Sequence, residues 1–279
     1  MGAANNQPRT DAQLYEHYTI EKELAARLRT ATKGERRHLY NVVYDERLQR
    51  IPHHPLLTKA QDQAAQQRAV TPQVRLLQPY LKAATRFLEI GPGDGALALA
   101  VAQQVKQVYA VDVSEGLVLT ATRPANFQFI VTDGIKIPLP PTSVDLAYSN
   151  QLMEHLHPED AAEQLHNLHA ALAPGAKYIC ITPNRLSGPW DISRHFDTLA
   201  TGLHLKEYTV TELAATLHAA GFAHVEVFIS YQGYHLSPHL PVAPVTWLEW
   251  TLEQLPHQAV RKMANLLTAV KVIATKGAA

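Results

Sequence analysis

A glycine-rich turn between two apolar runs limits the possible folds of this chain more than any other segment. Phe87-Leu88-Glu89-Ile90 leads into Gly91, Gly93 and Gly95, and Ala96-Leu97-Ala98 follows. A buried strand, a tight turn and a helix in this order build a cofactor site at a helix N-terminus. Glycine lets the backbone approach a ligand closely or adopt a positive φ. The segment therefore predicts an α/β protein with a cofactor site at this turn.

The same turn also fits a dinucleotide-binding site. Gly91, Gly93 and Ala96 match the G-x-G-x-x-[GA] pattern, in which the third small residue allows close helix–strand packing. Asp112 follows Gly91 by about 20 residues, where either kind of nucleotide site presents a carboxylate to ribose hydroxyls. The turn alone thus leaves two kinds of nucleotide site open, and a turn without a ligand is a further alternative.

The composition is that of a globular protein without a basic surface. Hydrophobic residues make up 46% of the 279 positions and charged residues 18%, which favours a packed core over disorder. The 25 Lys and Arg balance the 25 Asp and Glu, so we expect no nucleic-acid partner. The lone Cys180 lies in an apolar run, which predicts a buried, inert thiol in a reducing compartment.

The sequence gives no sign of export or of membrane insertion. Residues 1–10 are polar and lack the apolar core of a signal peptide. No run reaches the roughly 18 apolar residues that a membrane span requires. We therefore expect a cytoplasmic protein with no stable membrane insertion.

An all-helical stretch precedes alternating strands and helices. Residues 11–50 show helical periodicity, with Gly34 as the expected break, and a further helix is expected at 60–81. We expect residues 1–82 to form a helical N-terminal extension or lid. Residues 83–279 would form one domain with a helical insertion near 236–267, since alternation implies a parallel sheet covered on both faces. The expected strands are 87–90, 108–113, 127–132, 144–148, 178–182, 224–230 and 270–275, and the expected helices are 97–104, 117–122, 158–172, 210–220, 245–255 and 257–267.

Five motifs along residues 86–230 resemble those of a known enzyme family. They are Phe87–Gly95, Val111-Asp112-Val113-Ser114, Val131-Thr132-Asp133-Gly134, Asp145–Asn150 followed by Met153-Glu154-His155-Leu156, and Leu172-Ala173-Pro174-Gly175-Ala176. In this order they resemble the class I S-adenosylmethionine-dependent methyltransferases, in particular the methyltransferase-11-like small-molecule branch. Ala176 departs from that family's L-x-P-G-G turn, where a second glycine stands.

The resemblance implies a fold, a cofactor and a set of site residues. The fold would be a seven-stranded, mostly parallel, Rossmann-like α/β sheet whose last strand is antiparallel, and the cofactor would be S-adenosylmethionine. By the resemblance, the Asp112 carboxylate takes the ribose hydroxyls and Asp133 takes the adenine amino group. The expected cofactor-binding residues are Glu89, Gly91, Gly93, Asp112, Val113, Asp133, Gly134 and Asn150.

Two histidines are the expected catalytic residues. Methyl transfer from a sulfonium mainly requires alignment, but a hydroxyl acceptor also needs a base, and histidine commonly supplies one. His155 follows the fourth strand by a few residues, and His195 lies in a polar and aromatic loop after the fifth. The alternatives are a packing or capping role for His155 and a surface loop around His195.

Three other features allow simpler interpretations. His53 and His54 lie between prolines and are expected to be exposed rather than part of a lid. No H-E-x-x-H or paired-cysteine spacing occurs, so we expect no metal site. Trp247 and Trp250 predict a core helix, with a lipid-facing or dimer-forming helix as the alternative.

These patterns together predict a methyltransferase that acts on a small-molecule acceptor, most directly at oxygen. A nicotinamide-dependent oxidoreductase and a catalytically silent methyltransferase-like partner protein are the alternatives. Ser149-Asn150-Gln151-Leu152 stands where an Asn-Pro-Pro-Tyr-type motif for amine targets would be expected, which argues against protein or nucleic-acid methylation. A homodimer is compatible with the sequence.

Overall fold

The computed structural model describes residues 9–55, 57, 63–115, 123–237, 239–256, 259–260 and 269–278. From residue 86 onward, strands alternate with helices as the sequence predicts. The α-helices are α1 (Asp11–Thr30), α2 (Lys33–Arg50), α3 (Gln63–Leu77), α4 (Ala96–Ala102), α5 (Pro158–Ala171), α6 (Val210–Ala219) and α7 (Val242–Glu253). Short 3₁₀ turns cover Gln78–Tyr80, Met153–His155, Arg185–Ser187 and Ile192–His195.

The central sheet is mostly parallel. Its strands are β1 (Arg86–Ile90), β2 (Gln107–Asp112), β3 (Phe127–Val131), β4 (Val144–Asn150), β5 (Leu172–Pro183), β6 (His224–Val227), β9 (Leu240–Pro241) and β10 (Ala269–Thr275), while β7 (Ser230–Tyr231) and β8 (Tyr234–His235) form a separate hairpin. The order across the sheet is β3-β2-β1-β4-β5-β10-β6-β9. β1 to β5 pair in parallel, and β10 runs antiparallel to both β5 and β6. The predicted α/β sheet and its antiparallel last strand are thus confirmed.

The predicted count of seven strands is wrong by one. β9 pairs antiparallel with β6 through Leu240 and Pro241, and so adds an eighth strand at the edge of the sheet. Two residues are too few to show the alternation by which a strand is recognised in sequence.

Both faces of the sheet are covered. On one face, α1, α2, α5 and α6 pack in a single apolar cluster with sheet residues such as Leu88 and Ile90. On the other face, α3 and α4 pack against Phe87, Val108 and Tyr148. Cys180 is fully buried, so the prediction of a buried thiol is confirmed, and burial raises the pKa of this thiol to about 11.

The strand order brings three chain segments to one edge of the sheet. Ile90 at the end of β1 is in register with Val111 of β2 on one side and Ser149 of β4 on the other. Parallel strands end at the same edge, so the turns that follow these strands are neighbours. The glycine turn, Asp112 and the segment from Asn150 to His155 therefore meet.

The first two helices are separated by a capping motif rather than by Gly34. Thr32 caps α2: its side chain accepts from the Glu35 N–H, and the Glu35 side chain accepts from the Thr32 N–H. Gly34 is the second residue of this helix, so the expected break at Gly34 is wrong by a few residues. α2 is fixed to α5 by Arg36, whose guanidinium donates to the buried Asp160 carboxylate.

The C-terminal part contains the largest departure from expectation. α7 exposes Trp247 and Trp250 at 68% and 60%, so the prediction of a core helix at these residues is wrong. The whole of the expected helix 117–122 lies outside the described residues, and so does most of the expected helix 257–267. Among the described helices, none combines the length and the apolarity that crossing a membrane demands.

Candidate active site

The glycine turn adopts a backbone that other residues rarely take. Gly91 and Gly93 have φ of +70° and +57°. A Cβ on Gly91 would also lie 3.0 Å from Leu152 Cδ1, so both conformation and space require glycine there. Apart from its chain neighbours, no heavy atom of the described residues lies within 4 Å of a Cβ on Gly93, so its φ is what requires glycine. The turn thereby keeps its backbone accessible at the sheet edge.

Asp112, the last residue of β2, lies beside the glycine turn at the same edge of the sheet. Its Oδ1 accepts from the Val113 N–H at 2.6 Å, and its Oδ2 lies 3.4 Å from the Gly93 N. Burial raises the pKa of Asp112 to about 6, although the N–H groups of Val113, Gly93 and Ser114 oppose that rise. The carboxylate is thus held beside the glycine turn.

A cavity of about 480 Å³ lies between these groups and the N-terminal helices. Its volume is within the range of small-molecule sites, which is about 300–1,000 Å³. The predicted site residues that line it are Glu89, Gly91, Gly93, Asp112, Val113, Gly134, Asn150 and His155. Residues from two segments of the chain that precede the sheet also line it: Tyr44 and Arg47 of α2, and Gln73 of α3.

Asp133 and His195 are not among the residues that line this cavity. Asp133 Oδ1 accepts from the N–H groups of Ile135 and Lys136 at 3.0 and 2.8 Å. Burial acts to raise the pKa of Asp133, but these two N–H groups outweigh it and the net pKa is lowered. His195 is exposed beside Phe196.

Glu89 has a buried carboxyl group, one oxygen of which lacks a hydrogen-bond partner among the described residues. It is 5% exposed, and its Oε2 has no hydrogen-bond partner among the described residues. Burial, with a smaller contribution from Asp94, raises the pKa of Glu89 to about 8. A ligand in the cavity could supply the missing partner.

His155 also lines the cavity. Its Nδ1 donates to the Leu203 carbonyl at 2.9 Å, which leaves Nε2 as an acceptor. Burial, aided by His204 and Arg47, lowers the pKa of His155 to about 3. The ring is therefore neutral, and it stands edge-on to Tyr44 with centroids 5.7 Å apart.

Comparison with known proteins assigns this arrangement to a family. The family model described as "Methyltransferase domain" matches residues 62–227, which is more than half of the chain. The chain belongs to this methyltransferase family. The predicted class, the S-adenosylmethionine-dependent methyltransferases, is thereby confirmed, and the cofactor of the class is S-adenosylmethionine.

Individual relatives agree with the family. A protein from Mycolicibacterium smegmatis named as a probable S-adenosylmethionine-dependent methyltransferase is 31% identical over 136 residues, covering 48% of this chain and 51% of its own length. The chain thus spans about half the length of the curated relatives it matches.

Two solved structures share the fold. An S-adenosylmethionine-dependent methyltransferase from Mesorhizobium loti has a TM-score of 0.52 at 21% identity, with 75% of this chain and 100% of the other covered. Phosphoethanolamine N-methyltransferase 2 from Haemonchus contortus, solved with phosphomonomethylethanolamine and S-adenosylhomocysteine, has a TM-score of 0.52 at 18% identity. That match covers 74% of this chain and 52% of the other.

Several polar residues of this methyltransferase site were missed by the sequence analysis. Tyr44 Oη and Arg47 Nε at the cavity have no hydrogen-bond partner among the described residues. They stand on α2, about 40 residues before the first motif, and nothing in their local sequence marks them. His54, expected to be exposed, is instead buried beside Glu21, so that expectation is wrong.

Proposed function

We propose that this chain transfers the methyl group of S-adenosylmethionine to an oxygen atom of a small-molecule acceptor. The observation that carries the proposal is the composition of the cavity. The glycine turn and the Asp112 carboxylate line it together with His155, Tyr44 and Arg47. A cofactor and a polar acceptor could therefore lie side by side in one cavity.

The glycine turn and the residues beside it fit the cofactor. Asp112 would accept hydrogen bonds from the ribose hydroxyls, and the glycine turn would let the backbone approach the cofactor closely. Glu89 Oε2, buried and without a partner among the described residues, would find one in a bound ligand. Val113, Gly134 and Asn150 would complete the lining. Binding of the adenine amino group by Asp133 stays a prediction. Its Oδ1 already accepts from the N–H groups of Ile135 and Lys136, so Oδ2 would have to accept from the adenine.

The chain's own contribution to the chemistry would be mostly alignment. S-adenosylmethionine supplies an electrophilic methyl group on a good leaving group. Holding an acceptor oxygen in line with that group can be worth about 7–11 kcal/mol. The walls supplied by α2 and α3 would also keep water away from the reacting atoms.

His155, Tyr44 and Arg47 would hold the acceptor. His155 Nε2 is an acceptor that could orient a hydroxyl group, and the unpartnered Tyr44 Oη and Arg47 Nε could bind its other polar atoms. A catalytic role for His195 stays a prediction, since this residue is exposed outside the cavity lining.

The family and its relatives support a methyl donor over a nicotinamide cofactor. That the Haemonchus enzyme was solved with a small phosphorylated amine is in keeping with a small-molecule acceptor here. We extend the proposal to a lid role for residues 1–82, and to a protein that acts in the cytoplasm without a nucleic-acid partner. A homodimer also stays a prediction.

Isotope transfer tests the proposal directly. The purified chain is incubated with S-adenosylmethionine carrying a labelled methyl group and with a metabolite extract, and the products are analysed by mass spectrometry. We expect label on the oxygen of one or a few small molecules. Label found only in protein or nucleic acid, or on nitrogen or carbon, would overturn the proposed acceptor class. Absence of label from every fraction would support a silent protein instead.

A further inference from the structure

Three potential metal ligands converge where the cavity meets the protein interior. Glu154 and His155 lie in the 3₁₀ turn after β4, and His204 comes from the loop that leads to α6. One nitrogen of each ring and a carboxylate oxygen all lie within 4.8 Å of one another. Glu154 is 0% and His204 is 8% exposed, while His155 lines the cavity.

The hydrogen bonds of the two rings leave the same nitrogen available on each. His155 Nδ1 donates to the Leu203 carbonyl at 2.9 Å. His204 Nδ1 donates to Glu207 Oε1 at 2.7 Å. Metal-bound histidines almost always donate their other ring N–H to a carbonyl or a carboxylate in this way. On each ring, Nε2 is thus the nitrogen that remains for a ligand.

The Glu154 carboxylate likewise has one oxygen in a hydrogen bond and one that remains for a ligand. Its Oε2 accepts from the Thr182 hydroxyl at 2.8 Å, and its Oε1 has no hydrogen-bond partner among the described residues although the residue is fully buried. A buried carboxylate oxygen without a partner is costly. A cation would remove that cost.

The surrounding charges also favour a cation. Glu207, Asp191 and Glu21 are buried close to this cluster. A Cβ on Gly202 would lie 2.6 Å from Asp191 Oδ2 and 3.1 Å from Glu21 Oε2, so these two carboxylates converge. The guanidiniums nearby are Arg47, 3.7 Å from Glu21, and Arg29, which donates to backbone carbonyls of residues 200–204. Four carboxyl groups, with Glu154, thus lie around the cluster, against the guanidiniums of Arg47, Arg29 and, beside Glu21, Arg9.

A second His–Glu–His cluster nearby lacks these properties. His17, Glu21 and His54 also have ligand atoms within 4.8 Å of one another. However, both nitrogens of His17 are already engaged, Nδ1 with Arg9 at 2.6 Å and Nε2 with Glu21 at 2.9 Å. Arg9 would also repel a cation there. This second cluster is therefore a charged hydrogen-bond network and a suitable control.

We propose that Glu154, His155 and His204 bind one divalent transition-metal ion of the zinc type. Two imidazoles and one carboxylate form a ligand set that zinc and similar ions favour and that Mg²⁺ and Ca²⁺ do not. Bonds of about 2.1 Å place tetrahedral ligand atoms about 3.4 Å apart, so side-chain shifts of about 1 Å close the site. Three protein ligands leave at least one coordination position for another atom.

The site also refines the acceptor, a step that rests on the proposed function. His155 lines the cavity, so with the ion on its Nε2 the hydroxyl or phenol oxygen of an acceptor would lie on the ion instead of donating to that nitrogen. Coordination lowers the pKa of a bound hydroxyl group, so the acceptor would release its proton to water and be bound as an oxyanion at neutral pH. The proposed substrate class is therefore metal-coordinating alcohols and phenols.

Metal titration tests the site independently of methyl transfer. The full chain is freed of metal with a chelator, and Zn²⁺ is titrated by calorimetry and Co²⁺ by visible absorption. We expect one equivalent of either ion to bind, and no binding of Mg²⁺ at equal concentration. Failure of Zn²⁺ and Co²⁺ to bind, or Mg²⁺ binding as strongly, would overturn the site. Because S-adenosylhomocysteine binding is measured on the same samples, loss of the cofactor site would be seen separately.

Variants locate the ion. His155→Gln and His204→Gln should each lower Zn²⁺ affinity by about 100-fold or more, and Glu207→Gln by about 10–100-fold because it removes only the partner of His204. His17→Gln, in the second cluster, should leave the affinity unchanged. Zn²⁺ affinity that survives in His204→Gln or falls in His17→Gln would contradict the assignment. Retained S-adenosylhomocysteine binding by Glu207→Gln shows that this milder variant is folded.

Discussion

At the scale of single residues, Asp112 is the group on which cofactor binding should depend most. Asp112→Ala should weaken S-adenosylhomocysteine binding by about 1–3 kcal/mol, because ribose hydroxyls would lose a charged partner. Isothermal titration calorimetry measures this. The exposed Asp11→Ala should bind as the wild type does. Equal affinities for Asp112→Ala and wild type would refute the assigned role.

The raised pKa of Asp112 adds a pH dependence to the same measurement. Its pKa is raised to about 6 by burial, so the carboxyl group is protonated below that pH and ionised above it. The ratio of wild-type to Asp112→Ala affinity for S-adenosylhomocysteine should therefore be constant well above pH 6 and fall as the pH drops through 6. Comparison with the variant removes the contribution of other titrating groups such as Glu89.

Glu89 should make the stability of the protein depend on pH. Its pKa is raised from 4.5 to about 8 by burial, so the folded state holds the proton more tightly than the unfolded state. The stabilising effect of protonation is fully present below pH 4.5 and is lost as the pH rises to about 8. Glu89→Gln should therefore gain stability relative to wild type across this range, by up to about 1.4 kcal/mol per pH unit.

Urea unfolding at a series of pH values checks this prediction. The free energy of unfolding of Glu89→Gln minus that of wild type should rise with pH and then level off. The exposed Glu16→Gln provides the control and should follow the wild-type curve. Parallel curves for Glu89→Gln and wild type would mean that the Glu89 carboxyl group is not perturbed by burial.

Sequence reasoning identified those residues that belong to contiguous motifs. Glu89, Gly91 and Asp112 each sit at a strand end, where the alternation of apolar runs and glycines marks the position. His204 and Glu207 have no such context, because a loop brings them to Glu154 from about 50 residues away. The expectation of no metal site depended on local spacing such as H-E-x-x-H, a pattern that ligands from separate segments, as in the proposed site, would not show.

At the scale of elements, the junction between α2 and α5 should be a strong determinant of stability. Arg36 and Asp160 are both buried, and Asp160 also accepts from Tyr40 Oη at 2.8 Å. Arg36→Gln would leave the Asp160 carboxylate without its charge partner, which should cost about 3–5 kcal/mol. Urea unfolding measures that loss.

The neighbouring ion pair provides a matched control. Arg37 joins the same two helices by donating to Glu163 at 2.8 Å, but both side chains are partly exposed. Arg37→Gln should cost less than about 1 kcal/mol. Equal losses for the two variants would show that the junction does not depend on burial of the Arg36 pair.

The sequence predicted whether a segment is a helix or a strand better than it predicted where the segment begins and how exposed its side chains are. Apolar runs identified the seven longer strands, because strands buried on both faces are continuously apolar. Thr32 rather than Gly34 separates α1 from α2, since a capping box satisfies the first N–H groups of a helix whereas an early glycine is tolerated. Trp247 and Trp250 suggest burial by composition, but exposure is decided by neighbouring elements that the segment's own sequence does not encode.

At the scale of the whole molecule, the account depends on one cavity shared by the sheet edge and the helices that precede it. Residues of α2 and α3 line the same space as the glycine turn and Asp112. The family match begins at residue 62, so α2 lies outside the part that the family model covers. A bound cofactor should nevertheless stabilise both parts.

Hydrogen exchange with and without S-adenosylhomocysteine tests this claim most directly. We predict slower amide exchange in two places, the glycine turn at residues 91–95 and α2 at Lys33–Arg50. Helix α6 at Val210–Ala219 does not line the cavity and should exchange at an unchanged rate. Protection in neither α2 nor the glycine turn, or protection confined to α6, would contradict the account.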